Sequence, residues 1–116
     1  MEDTMELLET CHEAVKIITV PDKRIDAAAA IRFKDAMRRA TADGPDHIVL
    51  DLSNVAFVDS SGLGAIVAAM KQMGAGRRLD LAGLTPDVAK VFRLTRMDSV
   101  FVIHDRAEGA AARGSG

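Results

Sequence analysis

Apolar and polar residues alternate imperfectly over positions 6–20. Leu7, Leu8 and Cys11 form one apolar group and Val15, Ile17, Ile18 and Val20 a second, which predicts two short strands around His12-Glu13. Pro21-Asp22 ends the second strand. From Asp26 the period changes. Ala29, Phe33, Ala36, Met37 and Ala40 recur at helical spacing, and Arg32, Lys34, Asp35, Arg38 and Arg39 fall mostly between them. A helix capped by Asp26 is therefore expected, stopped by Asp43-Gly44-Pro45. Four of the six residues at 47–52 are large and aliphatic, with almost no alternation through Ile48 to Leu50, the pattern of a strand buried on both faces. A loop over 53–59 leads to a second helix from about Ser60, whose Leu63, Ile66, Val67, Met70 and Met73 follow i, i+3, i+4, i+7 spacing until Gly74 and Gly76. Residues 79–81 read as a short strand. Thr85-Pro86-Asp87 marks a third helix start, with Thr85 as N-cap and Val88, Val91 and Phe92 turned inward. Residues 100–103 predict the last strand. Residues 108–116, rich in Gly and Ala, are expected to form a disordered tail behind a domain over 1–107.

The order strand-strand-helix-strand-helix-strand-helix-strand predicts the α/β class. One domain is expected, with a mixed, mostly parallel sheet of about four to five strands, an antiparallel first pair, and helices packed on the sheet. Composition then narrows the function. Hydrophobic residues make up 48% of the 116, enough for a core, but there are four Phe and no Tyr or Trp, so no platform for stacking bases. The net charge of −2, with both signs interspersed, argues against a nucleic-acid partner. Cys11 stands alone, which excludes an internal disulfide and a cysteine-based zinc site and suits a reducing cytoplasm. Met1-Glu2-Asp3 is acidic where a signal peptide is basic. No apolar run approaches the ~18 residues of a membrane span. The expectation is a cytoplasmic protein with no membrane insertion, no metal and no cofactor.

The segment Val58-Asp59-Ser60-Ser61-Gly62-Leu63-Gly64 lies between the buried strand and the second helix. In an open α/β sheet, ligands and partners meet the loops at the carboxyl ends of strands. The first amides of a helix lack intrahelical partners and, with the dipole, favour an anion. A phosphate on Ser60 would occupy that positive end, beside the carboxylate of Asp59. The helix tolerates the charge, whereas an apolar or acidic surface packed on the loop does not. A bare helix cap is the plainer reading, since Ser and Asp are common caps. It leaves Gly62 and Gly64 unexplained, each costing about 1 kcal/mol relative to Ala in a helix; glycines there permit close approach of another backbone.

Other chemistries find little support. Val67 stands where the third small residue of a dinucleotide loop belongs, and Gly74-Ala75-Gly76-Arg77-Arg78 lacks the Lys-Ser/Thr of a P-loop. His12, His47 and His104 lack metal-ligand spacing. A hydrolase elbow needs Gly two residues before its serine, but Val58 precedes Ser60 and Asp59 precedes Ser61 at that place. A binding module is expected rather than an enzyme.

Asp59-Ser60-Ser61-Gly62-Leu63-Gly64 matches, residue for residue, the hallmark loop of the bacterial anti-sigma factor antagonists, whose domain is called STAS. Residues 47–55 look like that family's central strand, Arg24-Ile25-Asp26-Ala27-Ala28 resembles its loop before the first helix, and residues 79–86 with Val88 resemble its later strand-to-helix segment. The similarity covers roughly residues 15–104. Asp22-Lys23 stands where a glycine is common in the family. The resemblance implies a STAS-like domain that is a phosphoprotein and a partner switch in transcription regulation. The unphosphorylated antagonist would bind an anti-sigma factor that is also a serine kinase, phosphorylation of Ser60 would release it, and a metal-dependent serine phosphatase would reset it. Asp59, Ser61, Gly62, Leu63 and Gly64 would line the docking surface, with Arg24 and Asp26 on a neighbouring loop. The alternative is a non-switching STAS subunit of a lipid transporter or scaffold of a signalling complex.

Overall fold

A computed structural model describes residues 5–110. The two N-terminal apolar groups pair as an antiparallel hairpin, β1 (Leu8–His12) and β2 (Val15–Thr19), turned at Glu13 with a φ of 56°. The chain continues through β3 (Arg24–Ile25), α1 (Ala27–Ala40), β4 (His47–Asp51), β5 (Phe57–Val58), α2 (Ser60–Met73), β6 (Arg78–Ala82) and α3 (Pro86–Leu94). A 3₁₀ turn over Met97–Ser99 and β7 (Ile103–His104) complete the elements. The main sheet has five strands in the order β1-β2-β4-β6-β7, parallel except for the first pair. This is the mixed α/β architecture expected from the pattern. The sequence reading misses β3 and β5, which form a separate parallel pair joining Arg24 to Phe57 and Ile25 to Val58.

Helices α1, α2 and α3 cover one face of the main sheet. Phe33 and Met37 of α1, Ile66 and Met73 of α2, and Val88 and Phe92 of α3 pack there with Ile18, Ile48, Leu50 and Leu81. On the other face Val15, Ile17, Val49 and Ala82 lie against Ala107 and Ala110. Strand β4 is therefore covered on both sides, as its unbroken aliphatic run requires. Residues 107–110 are helical and Ala110 is fully buried, so the packed domain reaches beyond residue 107 and the start of the expected tail belongs to it. The rest of that tail, 111–116, lies outside the described residues.

Helix α1 is held at both ends. Asp26 Oδ1 accepts the Ala29 amide at 3.2 Å. At the other end Lys16 Nζ donates to Ala40 O at 2.8 Å, and Arg77 donates to Thr41 O at 2.7 Å and to Pro45 O at 3.1 Å. Cations placed on the last carbonyls complement the negative end of the dipole.

Two expectations need correction. Thr85 stands at the N-cap of α3 as expected, but its side chain makes no capping bond; the hydroxyl donates instead to Val55 O at 2.8 Å, giving that loop carbonyl a partner. The last strand is shorter and later than residues 100–103. Arg96 turns left-handed (φ 62°) and the Val100 amide donates to Met97 O, so the chain is still turning at Val100. Phe101 enters the core edge-on to Phe92, with ring centroids 6.1 Å apart. Burial of the ring outweighs two residues of strand pairing.

A buried ionic cluster also forms where spacing gave no sign of one. Asp80, 1% exposed, accepts from Arg78 Nε and Nη2 (2.8 Å each) and from the Nε2 atoms of His47 and His104 (2.9 Å each). Burial raises the Asp80 carboxyl, but the hydrogen bonds from Arg78, His104 and His47 prevail and hold it below the ordinary carboxylate value.

Candidate functional site

The β3–β5 pair sets the two helix N-termini side by side. Lys23 O accepts the amides of Ala56 (2.7 Å) and Phe57 (3.2 Å), which carries the chain directly into Asp59. Neither Asp22 nor Lys23 has a positive φ, so this loop forms without the glycine common in the family. Asp59 is the N-cap of α2, with extended backbone (φ −97°, ψ −174°), and its Oδ1 accepts the Gly62 amide at 2.9 Å. Its Oδ2 accepts the Ala27 amide, at the first residue of α1, at 3.1 Å. One carboxylate thus caps two helices.

Asp26 does parallel work on the neighbouring loop. Besides capping α1, it accepts from Arg24 Nε at 3.3 Å, and that bond chiefly holds its carboxyl below the usual value. The Arg24 guanidinium lies 4.2 Å from the centre of the Phe57 ring, a cation–π stack on an exposed surface. Sequence reasoning placed Arg24 and Asp26 here and missed Phe57. The ring is 40% exposed in a chain with four aromatics, a signal that composition alone could have raised.

Ser60 is the first residue of α2 and is exposed. Among the described residues its hydroxyl makes no hydrogen bond, and the amides of Ser60 and Ser61 have no acceptor. Among the described residues no base is bonded to that hydroxyl. Among the described residues no cluster of His, Cys, Asp and Glu is arranged to hold a metal.

The expected docking residues divide into two sets. Ser61 and Gly64 are exposed and Asp59 is half-buried, all near Ser60. Gly62 and Leu63 face inward. Leu63 is 9% exposed and joins the core, and a β-carbon on Gly62 would stand 1.8 Å from Ile25 O. The close backbone approach that Gly62 permits is with the chain's own β3. At Gly64 a β-carbon would meet nothing within 4 Å.

A family model described as the STAS domain matches residues 8–110. The chain belongs to the STAS domain family. This STAS domain is 32% identical over 81 residues to a STAS-domain containing protein of Pseudomonas aeruginosa, covering 69% of this chain and 79% of the relative. It is 24% identical over 111 residues to the anti-sigma-F factor antagonist RsfB of Mycobacterium tuberculosis, covering 92% and 90%. The crystal structure of an anti-sigma factor antagonist from Mycobacterium paratuberculosis superposes with a TM-score of 0.82 at 26% identity, over 97% of this chain and 96% of that one. In the present STAS domain no helix among the described residues is long and apolar enough to cross a membrane.

Proposed function

We propose that this STAS domain is an anti-sigma factor antagonist switched by phosphorylation of Ser60. The observation that carries the reading is the Ser60 hydroxyl itself: exposed, unbonded, at the mouth of α2, with two unpaired amides beside it. In the step proposed, Ser60 Oγ attacks the γ-phosphorus of ATP held by the anti-sigma factor kinase. The bond to the β–γ bridging oxygen breaks, ADP leaves, and a base of the kinase takes the hydroxyl proton. A serine phosphatase returns the hydroxyl by hydrolysis to inorganic phosphate.

The unmodified surface around Ser60 combines small and apolar groups (Ser61, Gly64, Phe57) with Arg24, Asp26 and Asp59. A partner packed on it excludes water from Ser60 Oγ. Two added negative charges at that point are tolerated by the helix amides but not by the packed interface, so the complex dissociates while the domain stays folded.

Incubation with the cognate kinase and ATP, followed by mass spectrometry, is expected to place a single phosphate on Ser60. A phosphate elsewhere, or none, refutes the reading. Ser60→Asp is expected to weaken the complex by at least about tenfold, 1.4 kcal/mol, and Ser60→Ala to bind normally but resist release by ATP. If a transporter ATPase binds instead, equally to both variants, the domain is the non-switching subunit.

A further inference from the structure

Asp59 does more than end a loop. Its two oxygens hold amides from two helices: Gly62 inside its own helix at 2.9 Å, and Ala27 of α1, 32 residues before Asp59, at 3.1 Å. The residue next to it is Ser60. We propose that Asp59 is a latch between the N-termini of α1 and α2, which a phosphate on Ser60 opens. The inference rests on the Ser60 reading and adds how the modified serine changes the docking surface.

The two Asp59 bonds differ in strength. The Gly62 bond is local, shorter and partly buried; the Ala27 bond is longer, exposed and spans two segments. A phosphate on Ser60 finds the unpaired amides of Ser60 and Ser61 within its own turn, so it does not need Gly62. It stands one residue from the Asp59 carboxylate, and the two anions repel. The carboxylate relieves the repulsion by giving up the weaker of its bonds, and Ala27 loses its acceptor. Asp26 still caps Ala29, and Ile25 still pairs with Val58, so both helices persist. What opens is the seam between their first turns. That seam adjoins Arg24, stacked on Phe57 and tied to Asp26, the groups a partner would touch. Phosphorylation then acts twice, by charge at Ser60 and by loosening the neighbouring half of the surface.

The test uses the isolated full chain, labelled with ¹⁵N and ¹³C, carrying either serine or genetically installed phosphoserine at position 60. The readout is the scalar coupling across the hydrogen bond from the Ala27 nitrogen to the Asp59 carboxyl carbon, with Ala27 amide exchange measured in parallel. The coupling is expected with serine and lost with phosphoserine, while Ala27 exchange accelerates about tenfold or more. A coupling that survives in the phosphoserine protein overturns the latch. Asp59→Asn offers one acceptor oxygen in place of two. It is expected to keep the Gly62 bond, lose the Ala27 bond and accelerate Ala27 exchange without any phosphate. Unchanged Ala27 exchange in that variant likewise overturns the proposal. Because phosphoserine is installed directly, failure of a kinase to modify Ser60 would sink the antagonist reading without altering this result.

Discussion

Gly62→Ala is expected to destabilise the domain by about 3 kcal/mol, the upper range for forcing an extra carbon into a packed interior. The added β-carbon would sit 1.8 Å from Ile25 O and 2.7 Å from Ile25 C. Both are backbone atoms, and β3 is fixed by its pairing of Ile25 with Val58, so no rotamer change can relieve the contact. The N-terminus of α2 has to lift from β3, which stretches the Asp59 link to Ala27 and loosens Ile25, a fully buried residue. Gly64→Ala, two residues on, is the control. Its new carbon meets nothing within 4 Å, and replacing a helical glycine is expected to stabilise by about 0.5–1 kcal/mol. Urea denaturation of the two variants reads the contrast. A Gly62→Ala protein as stable as wild type would mean that α2 does not rest on Ile25 as described.

Asp80→Asn is expected to cost about 3 kcal/mol at neutral pH, the lower end of what breaking a buried ion pair costs. The carboxylate receives four N–H donors from Arg78, His47 and His104, three of them on Oδ2. Such a set requires an ionised acid and imidazoles that donate from Nε2. Asparagine offers one acceptor oxygen and turns an amide N–H₂ toward the remaining donors. Arg78, whose side chain is 56% exposed, can turn to water. His104, 7% exposed, cannot, and its Nδ1 already lacks a hydrogen-bond partner. The acid dependence follows from the Asp80 carboxyl, held below its ordinary value in the folded state. Its contribution is fully present above the unfolded carboxylate value, about 3.9, and is lost as pH falls through the lower folded value. The wild-type and Asp80→Asn stabilities are thus expected to differ at pH 7 and converge below about pH 4. A gap that stays constant down to pH 3 would refute this assignment.

The elements with long periodic runs were legible in the sequence. Helices α1 and α2 present five or more apolar positions at helical spacing, and β4 has an aliphatic run that only a doubly covered strand needs. Strands β3 and β5 were not legible, because two residues cannot display a period. Yet that pair sets Arg24 against Phe57 and brings Asp59 to Ala27. Gly62 and Gly64 look alike as letters in a helix. Only the third dimension separates the one pressed on Ile25 from the one facing open space. Asp80 sits between Leu79 and Leu81, where alternation reads it as a solvent-facing position. Its partners His47 and His104 lie 33 and 24 residues away, beyond any local pattern.

The ends of α1 carry a consequence for the route by which the chain folds. Apart from Asp26, the groups that secure it come from afar: Lys16, Asp59 and Arg77 stand 24, 32 and 36 positions from the backbone atoms they hold. An isolated helix of 14 residues is marginal in water. Helix α1 is therefore expected to consolidate late, once β2 and the segment leading into β6 are in place, so that substitutions at its ends change the unfolding rate more than the folding rate.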